Sequence, residues 1–261
     1  MSDTSGIVYL VGAGPGAPDL LTVRAARLLA RADVVFYDAL VHPETLALAE
    51  RAEKIAVGKR CGKHSTQQRF INKRLVDAAC KHAVVVRLKG GDPMLFGRAQ
   101  EEIDALAAAG VQCEVVPGIT AALAASAELK ISLTRRGVSR NVVFVTPRVG
   151  QGENASDWIN SVCNADTAVM YMGAGQAAHI AGRLIERGLP ADMPMLIVEN
   201  VSLADRVTTA TTLGALRTAT EKTSHGGPAL LMMGRVFLHA EAQPAIDNEA
   251  VREVLTASLC A

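Results

Sequence analysis

Apolar runs of strand length alternate along this chain with stretches of helical period, and each run ends at glycine, aspartate or proline. The first run, residues 7–11, stops at Gly12. Apolar residues on one helical face follow it, at Leu21, Ala25, Leu28 and Leu29. Because strands and amphipathic helices that alternate in this way are typical of α/β proteins, we expect an α/β fold.

The alternation occurs in both halves of the chain. Strands are predicted at 34–37, 55–57, 84–88 and near Val115, and then at 142–145, 168–171, 195–198, near Val207 and at 229–232. Gly110 and Gly188 are expected to end the helices before them. Because Pro117-Gly118 breaks the pattern before it resumes, we expect an N-terminal α/β domain at 6–116, a C-terminal α/β domain at 117–240 and a tail at 241–261.

Composition narrows the functional classes. The 261 residues are 49% hydrophobic, which excludes a disordered chain, and the net charge of +1 gives no sign of a nucleic-acid partner. No apolar run approaches the roughly 20 residues that cross a bilayer, and residues 1–6 lack the features of a signal peptide, so we expect a cytoplasmic protein. Five cysteines without a C-x-x-C pair predict reduced, mostly buried thiols and no metal site.

The first glycine-rich loop, residues 12–17, reads Gly-Ala-Gly-Pro-Gly-Ala and fits the dinucleotide pattern G-x-G-x-x-G/A. In a dinucleotide fold this loop opens at once into a helix whose N-terminus holds the pyrophosphate. Here Pro15 and Pro18 stiffen the loop, and the helical period starts only near Leu21. A loop for a different ligand is therefore favoured, with a plain tight turn and a nicotinamide or flavin site as the alternatives.

A second loop, Lys89 to Pro93, reads Lys-Gly-Gly-Asp-Pro and follows a buried strand at the end where open α/β sheets bind ligands. Its two glycines let a ligand approach the backbone, and the carboxylate of Asp92 can accept ribose hydroxyls or lie near a cation. A Gly-Asp-Pro turn without function is the alternative. The segments 117–122 and 171–173 are similar loops, and all of them could converge on one crevice.

These residues resemble the tetrapyrrole methylase superfamily, and within it the enzymes that methylate uroporphyrinogen III, over about residues 6–240. Six segments carry the resemblance: VYLVGAGPGAPDLLTVRAARLLARADVVFYDALV, VGKR, VVRLKGGDPMLFGRAQEE, VVPGITAALAASA, YMG and PALLMMGRV. It implies two α/β domains with S-adenosylmethionine in the cleft between them, and a cytoplasmic homodimer. It also implies two successive C-methylations that convert uroporphyrinogen III to precorrin-2, on the route to siroheme, cobalamin or haem d1.

The resemblance also implies roles for individual residues. The implied cofactor contacts are Pro15, Gly90, Gly91, Asp92, Leu95, Thr120, Ala121, Met172, Val201 and Ala229. The implied proton acceptor is Asp38 and the implied proton donor is Lys59. From the residues alone, Asp38 could equally be a turn or helix cap, and Lys59 is easier to understand as an anchor for a carboxylate. The implied substrate-side residues are Arg98, Glu101 and Arg136.

The implied substrate bears eight carboxylates and requires cationic partners, which the loops supply in spite of the low net charge. These cations are Lys59, Arg60, Lys63, Arg98, Arg135, Arg136 and Arg140. Each alone could be a solvated surface charge, but together they favour a polyanionic substrate. The chain departs from the family's usual residues at Arg135, Pro147 and Val201. A methylase of a later corrin precursor, a non-catalytic S-adenosylmethionine-binding homologue and an NAD(P)-dependent oxidoreductase stay open as alternatives.

Overall fold

The computed structural model describes residues 6–58, 68–149, 157–223 and 227–240. In the first part of the chain, five parallel strands alternate with four helices. The strands are β1 (Ile7–Gly12), β2 (Val34–Tyr37), β3 (Glu53–Ala56), β4 (Val84–Lys89) and β5 (Cys113–Val116), in the sheet order β3-β2-β4-β1-β5. The helices are α1 (Val23–Arg31), α2 (Pro43–Ala47), α3 (Gln68–Ala79) and α4 (Ala99–Ala108).

Each face of this sheet packs against its own helices because side chains alternate along a strand. Leu10 of β1 packs in one cluster with Leu75 of α3 and Leu106 of α4. Its neighbour Val11 faces the other side and packs with Leu29 of α1. The adjacent strands β1 and β4 therefore lead into helices on opposite faces. Their carboxyl ends form a topological switch point, which is where open α/β sheets bind ligands.

The chain divides between Thr120 and Ala121 into two compact units. The second contains α5 (Ala121–Leu129), β6 (Val142–Val145), α6 (Trp158–Cys163), β7 (Thr167–Tyr171), α7 (Ala177–Glu186), β8 (Pro194–Glu199), β9 (Val207–Thr212), α8 (Leu216–Thr223) and β10 (Ala229–Gly234). Its sheet order is β6-β7-β10-β8-β9, in which the first pair is parallel and the others are antiparallel. The sequence-based domain limits and the separate tail stay predictions.

The expected α/β architecture is confirmed, and the differences from the sequence-based expectations are local. β3 begins at Glu53 and ends at Ala56, instead of spanning 55–57, because it is an edge strand whose mostly exposed residues show little apolar pattern. α1 begins at Val23 because the Thr22 side chain caps it, accepting a hydrogen bond from Ala25 N–H at 3.1 Å. β9 is a six-residue strand rich in threonine, where only a strand near Val207 was expected.

The described cysteines are less buried than expected. Cys80 is exposed, and Cys113 and Cys163 are only partly buried, so the expectation of mostly buried thiols is wrong for these three. Cys80 lies just after the end of α3, in an exposed turn. Burial raises the pKa of the Cys113 thiol to about 11, which keeps it protonated at neutral pH. Cys61 and Cys260 lie outside the described residues.

Among the residues that the structure describes, no helix combines the length and apolar character that a membrane span needs.

Glycines allow the backbones after β1, β4 and β5 to touch. A Cβ atom built on Gly12 would lie 2.5 Å from the Cα atom of Gly118, and one built on Gly118 would lie 2.3 Å from the carbonyl oxygen of Gly91. Real Cβ atoms essentially never approach other atoms this closely. The three strand ends can therefore adopt these positions only with glycine at 12 and 118.

We predict that Gly118→Ala lowers the free energy of unfolding by about 1–3 kcal/mol, because the added methyl group must push these backbones apart. The control is Gly182→Ala, in the middle of α7, where an added Cβ meets nothing within 4 Å. That change should leave stability unchanged or raise it by about 0.5–1 kcal/mol. Urea unfolding measures both variants. Equal stability of Gly118→Ala and the wild type would contradict the close backbone contact.

Candidate functional site

Four loops meet at the carboxyl edge of the N-terminal sheet. Gly12 pairs with Lys89 across β1 and β4, and β2 runs beside β4 up to Tyr37. Asp38 and Gly90 therefore begin adjacent loops. β5 flanks β1 on its other side, so the loop that leads to Thr120 starts at the same edge. The fold thus brings together the predicted site residues of this unit that lie in the described part of the chain.

Hydrogen bonds join the loops after β1 and β4. Gly91 N–H donates to the carbonyl oxygen of Gly14 at 2.7 Å, Gly14 N–H donates back to Gly91 at 3.2 Å, and Ala13 N–H donates to Lys89 at 2.7 Å. In addition, a 3-10 helix at Pro18–Leu20 separates the loop from α1. A dinucleotide site needs this backbone and a helix N-terminus to face the pyrophosphate. Here the amides of Ala13 and Gly14 bind the neighbouring loop instead.

Two aspartates connect the loop after β4 to the loops after β2 and β5. Asp38 accepts hydrogen bonds from Leu40 N–H at 3.1 Å within its own turn and from Gly90 N–H at 3.2 Å in the next loop. Asp92 does the same with Met94 N–H at 2.8 Å and Gly118 N–H at 2.9 Å. Each carboxylate oxygen has a second lone pair and can still accept from a ligand. Asp38 is therefore a turn residue by geometry, and each of its carboxylate oxygens can accept a further hydrogen bond.

Gly91 provides open space at this edge. Its φ angle of 68° lies in the left-handed region that favours glycine, and a Cβ atom built on it would meet nothing within 4 Å. Pro15, which follows the Gly14 that pairs with Gly91, is half-buried, as is Leu95, and Thr120 is buried. The backbone at Gly91 can therefore be approached by a ligand, as the two consecutive glycines predict.

The loops at this edge also carry exposed apolar side chains. Leu40 follows β2, and Met94 and Phe96 follow β4, with exposed fractions of 58%, 55% and 39%. Phe96 and Arg98 have φ angles of 53° and 56°, which are unusual for residues with large side chains. Such backbone strain tends to occur at functional sites, where the surrounding structure holds it in place.

Arg98 forms a two-pronged ion pair with Glu101. Its Nε donates to Oε1 at 2.7 Å and its Nη2 donates to Oε2 at 2.8 Å, and both side chains are about half exposed. The hydrogen bond from Arg98 lowers the pKa of Glu101 below its usual value. Arg98 is the N-cap residue of α4, where a cation gains nothing from the helix dipole. The two residues that were predicted on the substrate side of this unit thus bind each other, in the geometry that an arginine uses for any carboxylate.

In the C-terminal unit, the predicted cofactor residues lie at element ends: Ala121, Met172, Val201 and Ala229. β10 lies between β7 and β8 and runs antiparallel to both, so its first residue shares a sheet edge with their last residues. Ala122 N–H donates to the Tyr171 hydroxyl oxygen at 3.2 Å and connects the start of α5 to the end of β7. These four positions therefore belong to one side of the C-terminal unit.

Val201 is buried in the loop between β8 and β9, at a position where the family usually has glycine. The left-handed φ angles belong to its neighbours Asn200 and Ser202, at 52° and 66°, so valine is tolerated at 201 without strain. Glu128 of α5 holds this loop by accepting Ser202 N–H and Arg206 Nη1, both at 3.3 Å.

The structure says less about the positions of the remaining predicted residues. Lys59, Arg60 and Lys63 lie outside the described residues. Arg136 is exposed in a tight turn that two backbone hydrogen bonds between Arg135 and Ser139 close. In the part of the chain that the structure describes, no group of His, Cys, Asp or Glu side chains could hold a metal ion.

Sequence reasoning missed one cluster beneath the site. Arg87 and Lys89 of β4 both bind Glu102 of α4, at 3.1 Å and 2.9 Å, and all three side chains are nearly inaccessible to solvent. The signal was available: two cations stand two positions apart in an otherwise apolar strand, and therefore on the same face.

The chain matches the model of the family Tetrapyrrole (Corrin/Porphyrin) Methylases over residues 7–217, and it belongs to that family. It is 47% identical to a siroheme synthase of Pseudomonas fluorescens (strain Pf0-1) over 235 residues, which are 89% of this chain and 50% of that protein. A siroheme synthase of Psychrobacter arcticus is 44% identical over 90% of this chain and 43% of its own length. The chain spans about half the length of the curated relatives it matches.

One similar solved structure is a uroporphyrin-III C-methyl transferase from Thermus thermophilus complexed with S-adenyl homocysteine. The TM-score is 0.78 at 41% identity, over 89% of this chain and 99% of that one. A cobalt precorrin-4 methyltransferase, a cobalamin biosynthetic enzyme, also gives a TM-score of 0.78, at 27% identity over 88% of this chain and 95% of its own. The family resemblance inferred from the sequence is confirmed.

We predict that Asp92→Ala destabilises the protein by about 1–3 kcal/mol, because the amides of Met94 and Gly118 lose their acceptor. The control is Asp104→Ala, which removes an exposed aspartate of α4 that, among the described residues, accepts a hydrogen bond from the Gln100 side chain alone. That variant should change stability by less than about 0.5 kcal/mol. Urea unfolding compares the two. A similar small effect for both would show that Asp92 does not join the loops.

Proposed function

We propose that the chain is an S-adenosylmethionine-dependent C-methyltransferase that converts uroporphyrinogen III to precorrin-2 by two successive methylations. This would place it on the route to siroheme, cobalamin or haem d1. The observation that carries the proposal is the switch-point edge, where four joined loops leave the backbone of Gly91 open. The likeness to the Thermus thermophilus transferase over 99% of its length supports the same substrate class.

We assign the cofactor contacts in each unit separately. In the N-terminal unit, the open backbone of Gly90 and Gly91 would receive it, with Pro15, Asp92, Leu95 and Thr120 as further contacts. In the C-terminal unit the proposed contacts are Ala121, Met172, Val201 and Ala229. When bound, the cofactor supplies an electrophilic methyl group on a sulfonium. The protein's task is then mainly to hold donor and acceptor in line, so positioning supplies most of the rate acceleration.

Each methylation forms one carbon–carbon bond and breaks one carbon–sulfur bond, and S-adenosylhomocysteine leaves. An electron-rich pyrrole carbon attacks the methyl group, and the methylated ring then loses one proton. Asp38 is the proposed acceptor of that proton. The amides of Leu40 and Gly90 hold its carboxylate in a fixed orientation and leave a second lone pair on each oxygen. The proposed proton donor, Lys59, lies outside the described residues.

The substrate is a macrocycle with an apolar face and a rim of carboxylates. We propose that Arg98 and Arg136 bind the substrate carboxylates, and that Glu101 belongs to the same site as the partner of Arg98. Glu101 binds Nε and Nη2 of Arg98 in the two-pronged geometry that a carboxylate uses, so a substrate carboxylate would take the place of Glu101 on these atoms. The exposed side chains of Leu40, Met94 and Phe96 would pack against the apolar face.

The alternatives are less well supported. An NAD(P) site at 12–17 would need backbone amides that here bind the β4 loop. A methylase of a later corrin precursor shares the fold, but the similarity to the precorrin-4 enzyme is lower, at 27% identity. A non-catalytic homologue would bind the cofactor without turnover. The homodimer and the cytoplasmic location also belong to this proposal, and the family resemblance is their support.

The cofactor assignment predicts that the wild-type chain binds S-adenosylhomocysteine and not NADH, and that Gly91→Val weakens this binding at least about tenfold by filling the open space. Gly110→Val is the matched control. Gly110 has a similar φ angle of 71° and similar open space, but it lies at the far end of α4. It should keep wild-type affinity despite the same backbone strain of about 1–2 kcal/mol.

Calorimetry with both ligands makes this test. Binding of NADH without binding of S-adenosylhomocysteine would exclude the methylase assignment. Equal affinity of a folded Gly91→Val variant would remove this loop from the site.

The substrate assignment predicts that Arg98→Lys lowers turnover of uroporphyrinogen III at least about tenfold, because lysine cannot form the two-pronged contact. Affinity for S-adenosylhomocysteine should stay unchanged, and stability should change by less than about 0.5 kcal/mol, because the pair with Glu101 is exposed. Arg217→Lys is the control, since Arg217 forms a similar exposed pair with Glu221 on α8.

The reaction is followed by the absorbance of the product and by its mass. If Arg98→Lys methylates uroporphyrinogen III at the wild-type rate across substrate concentrations, Arg98 is a surface residue and the proposed contact is wrong.

A further inference from the structure

Two cations and one anion are buried together beneath the loop that follows β4. Glu102 accepts from Arg87 Nε through Oε1 at 3.1 Å and from Lys89 Nζ through Oε2 at 2.9 Å. The three side chains are at most 5% exposed. These three side chains carry two positive charges and one negative charge. Burying an unbalanced positive charge destabilises a fold, so we expect it to be retained for another reason.

Lys89 is the less compensated cation. Arg87 also donates to the Leu88 carbonyl oxygen at 2.9 Å, whereas Glu102 is the one hydrogen-bond partner of Lys89 Nζ among the described residues. Burial lowers the pKa of Lys89, and the nearby Arg87 lowers it further. The two carboxylates that face it, Glu102 and Asp38, act in the opposite direction but do not outweigh burial.

The Lys89 side chain joins the two ends of the loop 90–98. Lys89 is the last residue of β4, and Glu102, its partner, lies in the first turn of α4. Between them the loop passes directly over the lysine: a Cβ atom on Gly97 would lie 3.2 Å from Lys89 Cε. The neighbours of Gly97 are Phe96 and Arg98, the two non-glycine residues of this loop whose φ angles are left-handed. The lysine therefore lies directly beneath the strained part of the loop.

We propose that Lys89 is a positioning residue whose buried ammonium, through Glu102, holds the loop 90–98 in the shape that the site requires. The inference rests on the proposed function, because Gly90, Gly91 and Arg98 are the residues that the loop would present. A buried charge that the fold does not need is explained when the geometry of a site depends on it. Lys89 itself touches neither substrate nor cofactor in this account.

The test is Lys89→Met, which keeps the length and apolar stem of the side chain but removes the ammonium. Glu102 then still binds Arg87 and Gln68, so the cluster becomes balanced and the variant should fold with an unchanged or higher melting temperature at pH 7. The free-energy cost of burying the charged Lys89 is largest at pH values below its pKa in the folded protein. This cost shrinks as the pH rises towards 10.5, the ordinary pKa of a lysine. Any gain in stability over the wild type should shrink with it.

The positioning role predicts a loss of function without a loss of stability. Amide hydrogen exchange of residues 94–98 should be faster in Lys89→Met, and the kcat of methyl transfer should fall about 10- to 100-fold, as for a misplaced site. Lys73→Met is the matched control, because it removes an exposed lysine that pairs with Asp77 on α3. It should change neither readout.

Two results would overturn the proposal. One is a marked fall in melting temperature with turnover that follows the folded fraction, which is the signature of a purely structural lysine. The other is unchanged exchange and unchanged turnover in a folded variant. If the wild type fails to bind S-adenosylhomocysteine, the proposed function fails instead. Exchange at 94–98 still decides whether Lys89 holds the loop.

Discussion

Contact between backbones at the carboxyl ends of β1, β4 and β5 is the constraint on which the N-terminal site depends. Gly12, Gly91 and Gly118 come so close that a side chain at 12 or 118 would collide with the neighbouring main chain. This contact puts the amides of three loops within reach of one another, and Asp92 can then bind the amide of Gly118.

The sequence predicted the bounds of strands best where an apolar run has clear ends. β2 and β6 have the predicted bounds, since both consist of apolar runs with clear ends. The predicted bounds of β3 were off by one or two residues because this exposed edge strand carries little apolar pattern. The antiparallel pairing of β7, β8, β9 and β10 could not be predicted from the spacing of the strands. Pairing direction depends on contacts between segments far apart in the chain.

At the site, the glycine-rich loops could be located from the sequence, but their hydrogen-bond partners could not. The pattern at 12–17 gives no sign that Gly14 pairs with Gly91. Arg98 and Glu101, which were both expected on the substrate side, form an ion pair with each other in the structure. The buried cluster around Glu102 shows how a chain with a net charge of +1 can still concentrate positive charge locally.

The most direct test of the account is a crystal structure of the protein with S-adenosylhomocysteine bound. We predict that the ligand lies against the backbone of Gly90 and Gly91, with the hydrogen bonds between Gly14 and Gly91 and between Asp92 and Gly118 intact. A ligand bound through the amides of 13–14, with those bonds broken, or a ligand that lies away from Gly91, would contradict it.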